Sequence, residues 1–217
     1  MMTFAIDKPL ILEQLKRQLN SLFLNSEHDF DVLDTHYEAT LERTERCFAQ
    51  TPNKYYQKDG QPFFSPYIST QYTIFLYYFA NTIYKSAPSE SEVCDKLYYL
   101  NKSLNSVDIY YAVALPDFFM CEHPVGSVMG RGKYGDGFAF FQHCTVGGNI
   151  NEEYPIIGNN VTMFVNSKII GHSHIGNNVF VGADSCVKDA DVPDNSIVFG
   201  SSPHLIFKTK SNNKSGF

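Results

Sequence analysis

Residues 157–187 read IGNNVTMFVNSKIIGHSHIGNNVFVGADSCV, and the stretch repeats in blocks of six. Ile157, Met163, Ile169, Ile175, Val181 and Val187 are aliphatic and six apart. Two residues before each later one stands a small or β-branched residue: Val161, Ser167, Ser173, Val179 and Ser185. The register runs back through Val128, Tyr134, Phe140 and Val146, so ten positions obey it. A helix has a period of about 3.6 and a strand one of about 2, so neither accounts for this pattern. Six-residue repeats point to a parallel β-helix, in which each hexad is a short strand plus a turn and three hexads close one triangular coil. The aliphatic residue faces the interior of the prism. The Gly or Asn fits the tight corner, where positive φ is common.

The chain has 217 residues, enough for one or two domains, and its 43% hydrophobic content suffices for a core. Its 17 basic and 23 acidic residues give a net charge of −6, which carries no nucleic-acid footprint. Residues 1–9 are mixed and include Asp7, unlike a secretory leader. The densest apolar run, Tyr72–Tyr84, contains Asn81 and falls short of the ~18 residues of a membrane span. The five cysteines (47, 94, 121, 144 and 186) are scattered and lack a CxxC pair, which reads as reduced, mostly buried thiols of a cytoplasmic protein. Cys144 and Cys186 are expected on the small-residue positions of the hexad.

The first half of the chain has helical spacing. Leu12, Leu15, Leu19, Leu22 and Phe23 predict a helix over 10–24, and Val32, Leu33, Tyr37, Leu41 and Phe48 a second over 30–49. TPNKYYQKDGQPFFSP (51–66) reads as a loop. Ile68, Tyr72, Phe75, Leu76, Phe79 and Ile83 predict a strongly amphipathic helix with a wide apolar face, either core and subunit packing or a ligand groove. Pro88 and the box Ser89-x-x-Glu92 announce a helix over 89–102. The expected organisation is a helical domain over 1–105, a β-helix over 106–208 and a frayed polar tail over 209–217.

The candidate chemistry lies where the β-helix begins. His123 is followed by Pro124 and Gly126, so it falls in an irregular stretch. Asp108 precedes it by fifteen residues, close to one coil, and residues on neighbouring coils stack roughly 5 Å apart. A carboxylate against an imidazole holds its tautomer and stabilises its cation, the apparatus of a general base acting on a hydroxyl or amine. His143 sits on a regular rung. His172 and His174 share a hexad but have no third ligand nearby, so no metal is expected. His28, His36 and His204 have no local argument.

The segment Val107-Asp108-Ile109, then Glu122-His123 with Gly126, then Thr145-Val146-Gly147-Gly148 resembles the serine acetyltransferase branch of the hexapeptide-repeat acyltransferases. The closing VPDNSIVFGSSPHLI (192–206) is similar to that family's last segment. The resemblance covers about 105–208 well and 1–104 loosely. It implies a left-handed β-helix, a trimer or a dimer of trimers, and acetyl-CoA as co-substrate. It further implies that His123 deprotonates the acceptor, Asp108 orients His123, and Glu122 faces the acceptor. Gly147 and Gly148 would line the thioester end, and backbone at Val165 and Ala183 would follow the pantetheine arm. Two departures stand out. The loop after the paired glycines, NINEEYPIIG, carries Glu153-Tyr154 where the family has an Arg-His pair for the acceptor's carboxylate. Leu205 stands where many relatives have a cation, leaving Lys188 or Lys208 for the CoA phosphates. With acids and the Tyr154 face at the mouth, the expected acceptor is a sugar or polysaccharide precursor. Serine O-acetylation, N-acetylation of a nucleotide-linked amino sugar, and a non-catalytic β-helix that assembles with a partner are the alternatives.

Overall fold

A computed structural model describes residues 1–210. The chain divides into two compact units, residues 1–105 with 110–112, and residues 106–109 with 113 onward.

The first unit contains four helices: α1 (Lys8–Leu22), α2 (Glu27–Gln50), α3 (Ser69–Ser86) and α4 (Ser91–Asn105). A reciprocal capping box starts α2: the Asp29 N–H donates to Ser26 Oγ, and the Ser26 N–H to Asp29 Oδ2 at 2.7 Å. The box expected at Ser89 is one residue out of register, because α4 takes its first carbonyl from Glu90, which accepts from the Cys94 N–H. The predicted loop over 51–66 is in part a sheet. Gln57–Lys58 and Gln61–Phe64 form a hairpin, and Thr3–Phe4 adds in parallel to Gln61–Phe64. Asp59-Gly60, both at positive φ, make the turn, a signal present in the sequence.

Helix α3 departs furthest from expectation. Its middle is buried on all sides: Tyr72, Ile74, Phe75, Leu76, Tyr77, Tyr78 and Phe79 are all buried, so the aromatic stripe is core. Its buried polar residues are tied to distant backbone. Gln71 accepts from the Ser65 N–H and donates to the Tyr55 carbonyl, while Asn81 accepts from Arg43 and donates to the Tyr111 carbonyl.

The second unit is a parallel β-helix, as the hexads predict, and it is left-handed, as the resemblance implies. One face stacks Phe119–Cys121, Phe138–Phe140, Thr162–Met163 and Phe180–Val181. The next stacks Asp108–Ile109, Val128–Met129, Thr145–Gly147, Lys168–Ile170 and Cys186–Lys188. The third stacks Lys133–Tyr134, Ile156–Ile157, His174–Ile175 and Asp191–Val192. Like stacks on like in the interior: Phe140, Met163, Val181 and Val198 form one column, and Val146, Ile169 and Val187 another. All six aliphatic residues of the 157–187 register are buried, as are the five small residues beside them. Corners are turned by residues that tolerate positive φ, among them Asn160, Asn178 and Asn195.

Two register assignments need correction. Val128 is exposed, and Met129 takes the interior place between Ile109 and Val146. A shift of one residue reverses the face of a strand. Cys186 likewise precedes Val187 by one and faces outward, whereas Cys144 is buried at the small-residue position. The polar tail expected from 209 lies outside the described residues from 211 on; Thr209 still pairs with Ser196, and Lys210 is buried.

The corrected register predicts that Met129→Ala costs about 2–5 kcal/mol of stability. Val128→Ala should cost about 0.5 kcal/mol or less. Urea denaturation of the two variants measures both.

Candidate active site

Two adjacent corners of the prism carry the candidate residues. The first is the turn from His123 to Ser127. His123 is exposed, at φ 47°, and its carbonyl accepts from the Val125 N–H at 2.7 Å. Glu122 precedes it, anchored by its N–H to the Phe140 carbonyl. Asp108 is half-buried on the strand that leaves this corner, and its N–H donates to the Ser127 carbonyl at 2.9 Å. Asp108 registers laterally with Val128 and not with His123, because this first coil is longer than eighteen residues. Asp108 thus leaves the corner whose turn His123 begins, where a straight stack of the two was expected.

Above the His123 turn a backbone ladder climbs the same corner. The His143 N–H donates to the Val125 carbonyl, that of Asn166 to Gln142, and that of Asp184 to Val165. Val165 and Ala183 therefore share the corner of His123. Sequence reasoning passed over His143 as an ordinary rung residue. Its ring lies against Gly126, where an added Cβ would stand 2.4 Å from Nδ1. Gly126 also needs positive φ (72°).

The second corner lies at the other end of strands Val128–Met129 and Thr145–Gly147. Gly148 is covered by the ring of Tyr154, which an added Cβ would meet at 2.8 Å. The intervening loop is wired through Asn149. Its Oδ1 accepts from the Asn151 and Glu153 N–H groups, and its Nδ2 donates to Glu153 Oε2 and Asp189 Oδ1, each at 2.8 Å. The Asn149 amide, and after it the His172 N–H, hold the Asp189 carboxyl below its ordinary pKa. Lys188 is near this corner, two rungs from Gly147 through Ile170. Lys208 is apart from it, on the closing hairpin opposite Ile197.

The mouth expected to lack cations has two. Arg131 donates from Nη1 to the Tyr154 hydroxyl at 3.3 Å, with its guanidinium carbon 5.9 Å from the ring centroid. Arg131, Gly132, Lys133, Tyr154, Pro155 and Ile156 line a cleft of about 330 Å³. The loop itself has no basic residue; the coil before it supplies them. The signal was in the register: Tyr134 pairs with Ile157 and Lys133 with Ile156, which sets Arg131 beside Tyr154.

Among the described residues, no helix is long and apolar enough to cross a membrane, and no group of three or more His, Cys, Asp or Glu could hold a metal ion. His174 Nδ1 instead pairs with Asp191 at 2.9 Å.

The chain is serine-acetyltransferase-like in sequence and in fold, of the hexapeptide-repeat kind. It is 34% identical over 117 residues to a serine acetyltransferase of Buchnera aphidicola, covering 52% of this chain and 44% of that protein. It is 31% identical over 117 residues to one of Synechococcus elongatus, covering 52% and 48%. The chain thus spans about half the length of the curated relatives it matches. The solved serine acetyltransferase of Vibrio cholerae superposes with a TM-score of 0.72 at 17% identity, over 96% of this chain and 81% of that one. That of Neisseria gonorrhoeae gives 0.68 at 21% identity, over 97% and 83%. A serine acetyltransferase solved in complex with CoA gives 0.67 at 17% identity, over 82% and 75%. No family model matches the chain.

Gly126→Ala is expected to cost about 1–2 kcal/mol from its backbone conformation alone, and more from the collision with His143. Adding His143→Ala should return the steric part and leave the backbone part. Chemical denaturation of the single and double variants separates the two contributions.

Proposed function

We propose that this chain is an acetyl-CoA-dependent O-acetyltransferase of the serine acetyltransferase type. The observation that supports the reading is the backbone of one corner: the Asp108 N–H bonds the Ser127 carbonyl at the end of the turn that His123 begins, and the Gln142 and Val165 carbonyls continue the ladder beside it. In this reading His123 takes the proton of an acceptor hydroxyl as its oxygen attacks the thioester carbonyl. The carbon–sulfur bond then breaks, and the CoA sulfur leaves with a proton from the imidazolium. Asp108 orients the imidazole and stabilises its cation. Glu122 faces the acceptor, Gly147 and Gly148 line the thioester end, and Lys188 or Lys208 serves the CoA phosphates.

The names of the relatives support serine as acceptor better than a sugar. The sugar reading drew its force from a mouth without cations, and Arg131 beside Tyr154 removes that ground. All five cysteines are free and four are buried, which supports a reducing compartment such as the cytoplasm. Exposed Val125 and Val128 beside the His123 turn support a trimer that covers this face.

His123→Ala should lower turnover by about 10²–10⁴-fold with acetyl-CoA binding intact. Asp108→Asn, which orients and does not transfer, should cost at least about 10-fold. Free-thiol release across L-serine, hexoses and amino sugars reads these rates. A native chain inert with every acceptor would favour the non-catalytic alternative. Light scattering at micromolar concentration should report at least a trimer; a monomer would overturn that assignment.

A further inference from the structure

The loop between Gly148 and Pro155 is fastened to the prism at two points. Below, Arg131 donates to the Tyr154 hydroxyl, and the charge of Glu152 also acts on Arg131. Above, Asn149 Nδ2 donates to Asp189 Oδ1, two rungs up the same corner. The upper fastening has a built seat. Gly171, on the rung between, leaves the space in which the two side chains meet: an added Cβ would stand 2.1 Å from Asp189 Oδ1 and 2.9 Å from Asn149 Nδ2. The His172 N–H donates to the same Oδ1 at 2.9 Å and holds the carboxylate in place. Asn149 then passes the constraint along the loop. Its Oδ1 accepts from the Asn151 and Glu153 N–H groups, and the loop ends with the Tyr154 ring over Gly148. The Asn149–Asp189 bond is exposed to solvent, where such a bond contributes modestly. A fastening of that strength holds a loop closed and still lets it open.

We propose that Asp189 is a positioning residue that acts through Asn149: it latches the 149–154 loop as a strap, with the Tyr154 ring closed over Gly148. Released, the strap uncovers Gly148. The inference rests on the acyl-transfer reading for the role of what lies beneath, the glycine pair at the thioester end. Asp189→Gly removes the carboxylate without strain, because Asp189 sits at φ 49°, which Gly adopts freely. Asp189→Asn keeps an acceptor oxygen, and Asp191→Ala removes the neighbouring acid that pairs with His174. Hydrogen–deuterium exchange of the peptide over 149–155, in the full-length proteins, reads the strap. Free-thiol release from acetyl-CoA with L-serine, hexoses and amino sugars in turn reads its effect on turnover.

Asp189→Gly should speed exchange over 149–155 by about 3–10-fold, the loss expected of one exposed hydrogen bond, and lower kcat/KM by a like factor. Asp189→Asn should recover most of both, and Asp191→Ala should change neither. Unchanged exchange in Asp189→Gly would overturn the latch, as would faster exchange spread over the neighbouring coils. Faster exchange confined to 149–155 with native turnover would overturn the positioning role. A native chain that releases no thiol with any acceptor would sink the transfer reading instead, and the exchange result would still decide the latch.

Discussion

Lateral hydrogen bonding between successive coils is the constraint on which the β-helix depends. Before the closing hairpin every strand in it is two or three residues long, too short to hold its place alone. Each gains its position from the neighbouring rungs, as when the Thr162 N–H donates to the Val179 carbonyl and the Phe164 N–H to Val181. Once that ladder is fixed, the side-chain period of two sends Ile157, Met163 and Ile169 inward together. Burying an aliphatic side chain of this size contributes about 1.5–3 kcal/mol. The ladder and the interior columns therefore enforce one register, and slipping by a residue would expose a whole column.

The same constraint positions the candidate chemistry. The His123 turn is held because the Gly126 N–H donates to the Ser106 carbonyl and the His143 N–H to Val125. The insertion that follows Gly148 leaves the prism and rejoins it at Pro155, whose carbonyl accepts from the Lys133 N–H. The loop thus re-enters on the rung it left, and Asn149 closes it upon itself. This is why a rigid Tyr154 can face a side chain from the preceding coil.

Much of this was legible in the sequence, for a definite reason. A buried aliphatic residue every six positions has no other common cause, so Ile157 through Val187 were readable without coordinates. Val128 was misread because Met129 pairs with Val146 across a coil one residue short of three hexads, and period alone does not show where a coil drops a residue. The aromatic stripe of helix α3 is core, one of the two readings offered, but the polar face expected of an amphipathic helix is missing for a different reason. Gln71 and Asn81 look like a polar face until their partners at Ser65, Tyr55, Arg43 and Tyr111 are known, and those partners are remote in the chain.

Arg131 shows how the charge at a mouth differs from the charge of the loop that borders it. By the resemblance, Glu153-Tyr154 stands where the family carries a cationic pair. A binding site, however, responds to charge in space, and in a β-helix the nearest residue in space is one coil away. Tyr154 sits beside Arg131 because Tyr134 pairs with Ile157 across an inserted loop. Substituting an acid and a phenol in the loop therefore leaves the mouth with a cation, provided the coil below carries one. Arg131 provides it, and its hydrogen bond to the phenol ties the two exchanges into one arrangement. The side chains around a mouth in such a prism come from stacked coils, so comparing loops alone leaves out those of the coil below.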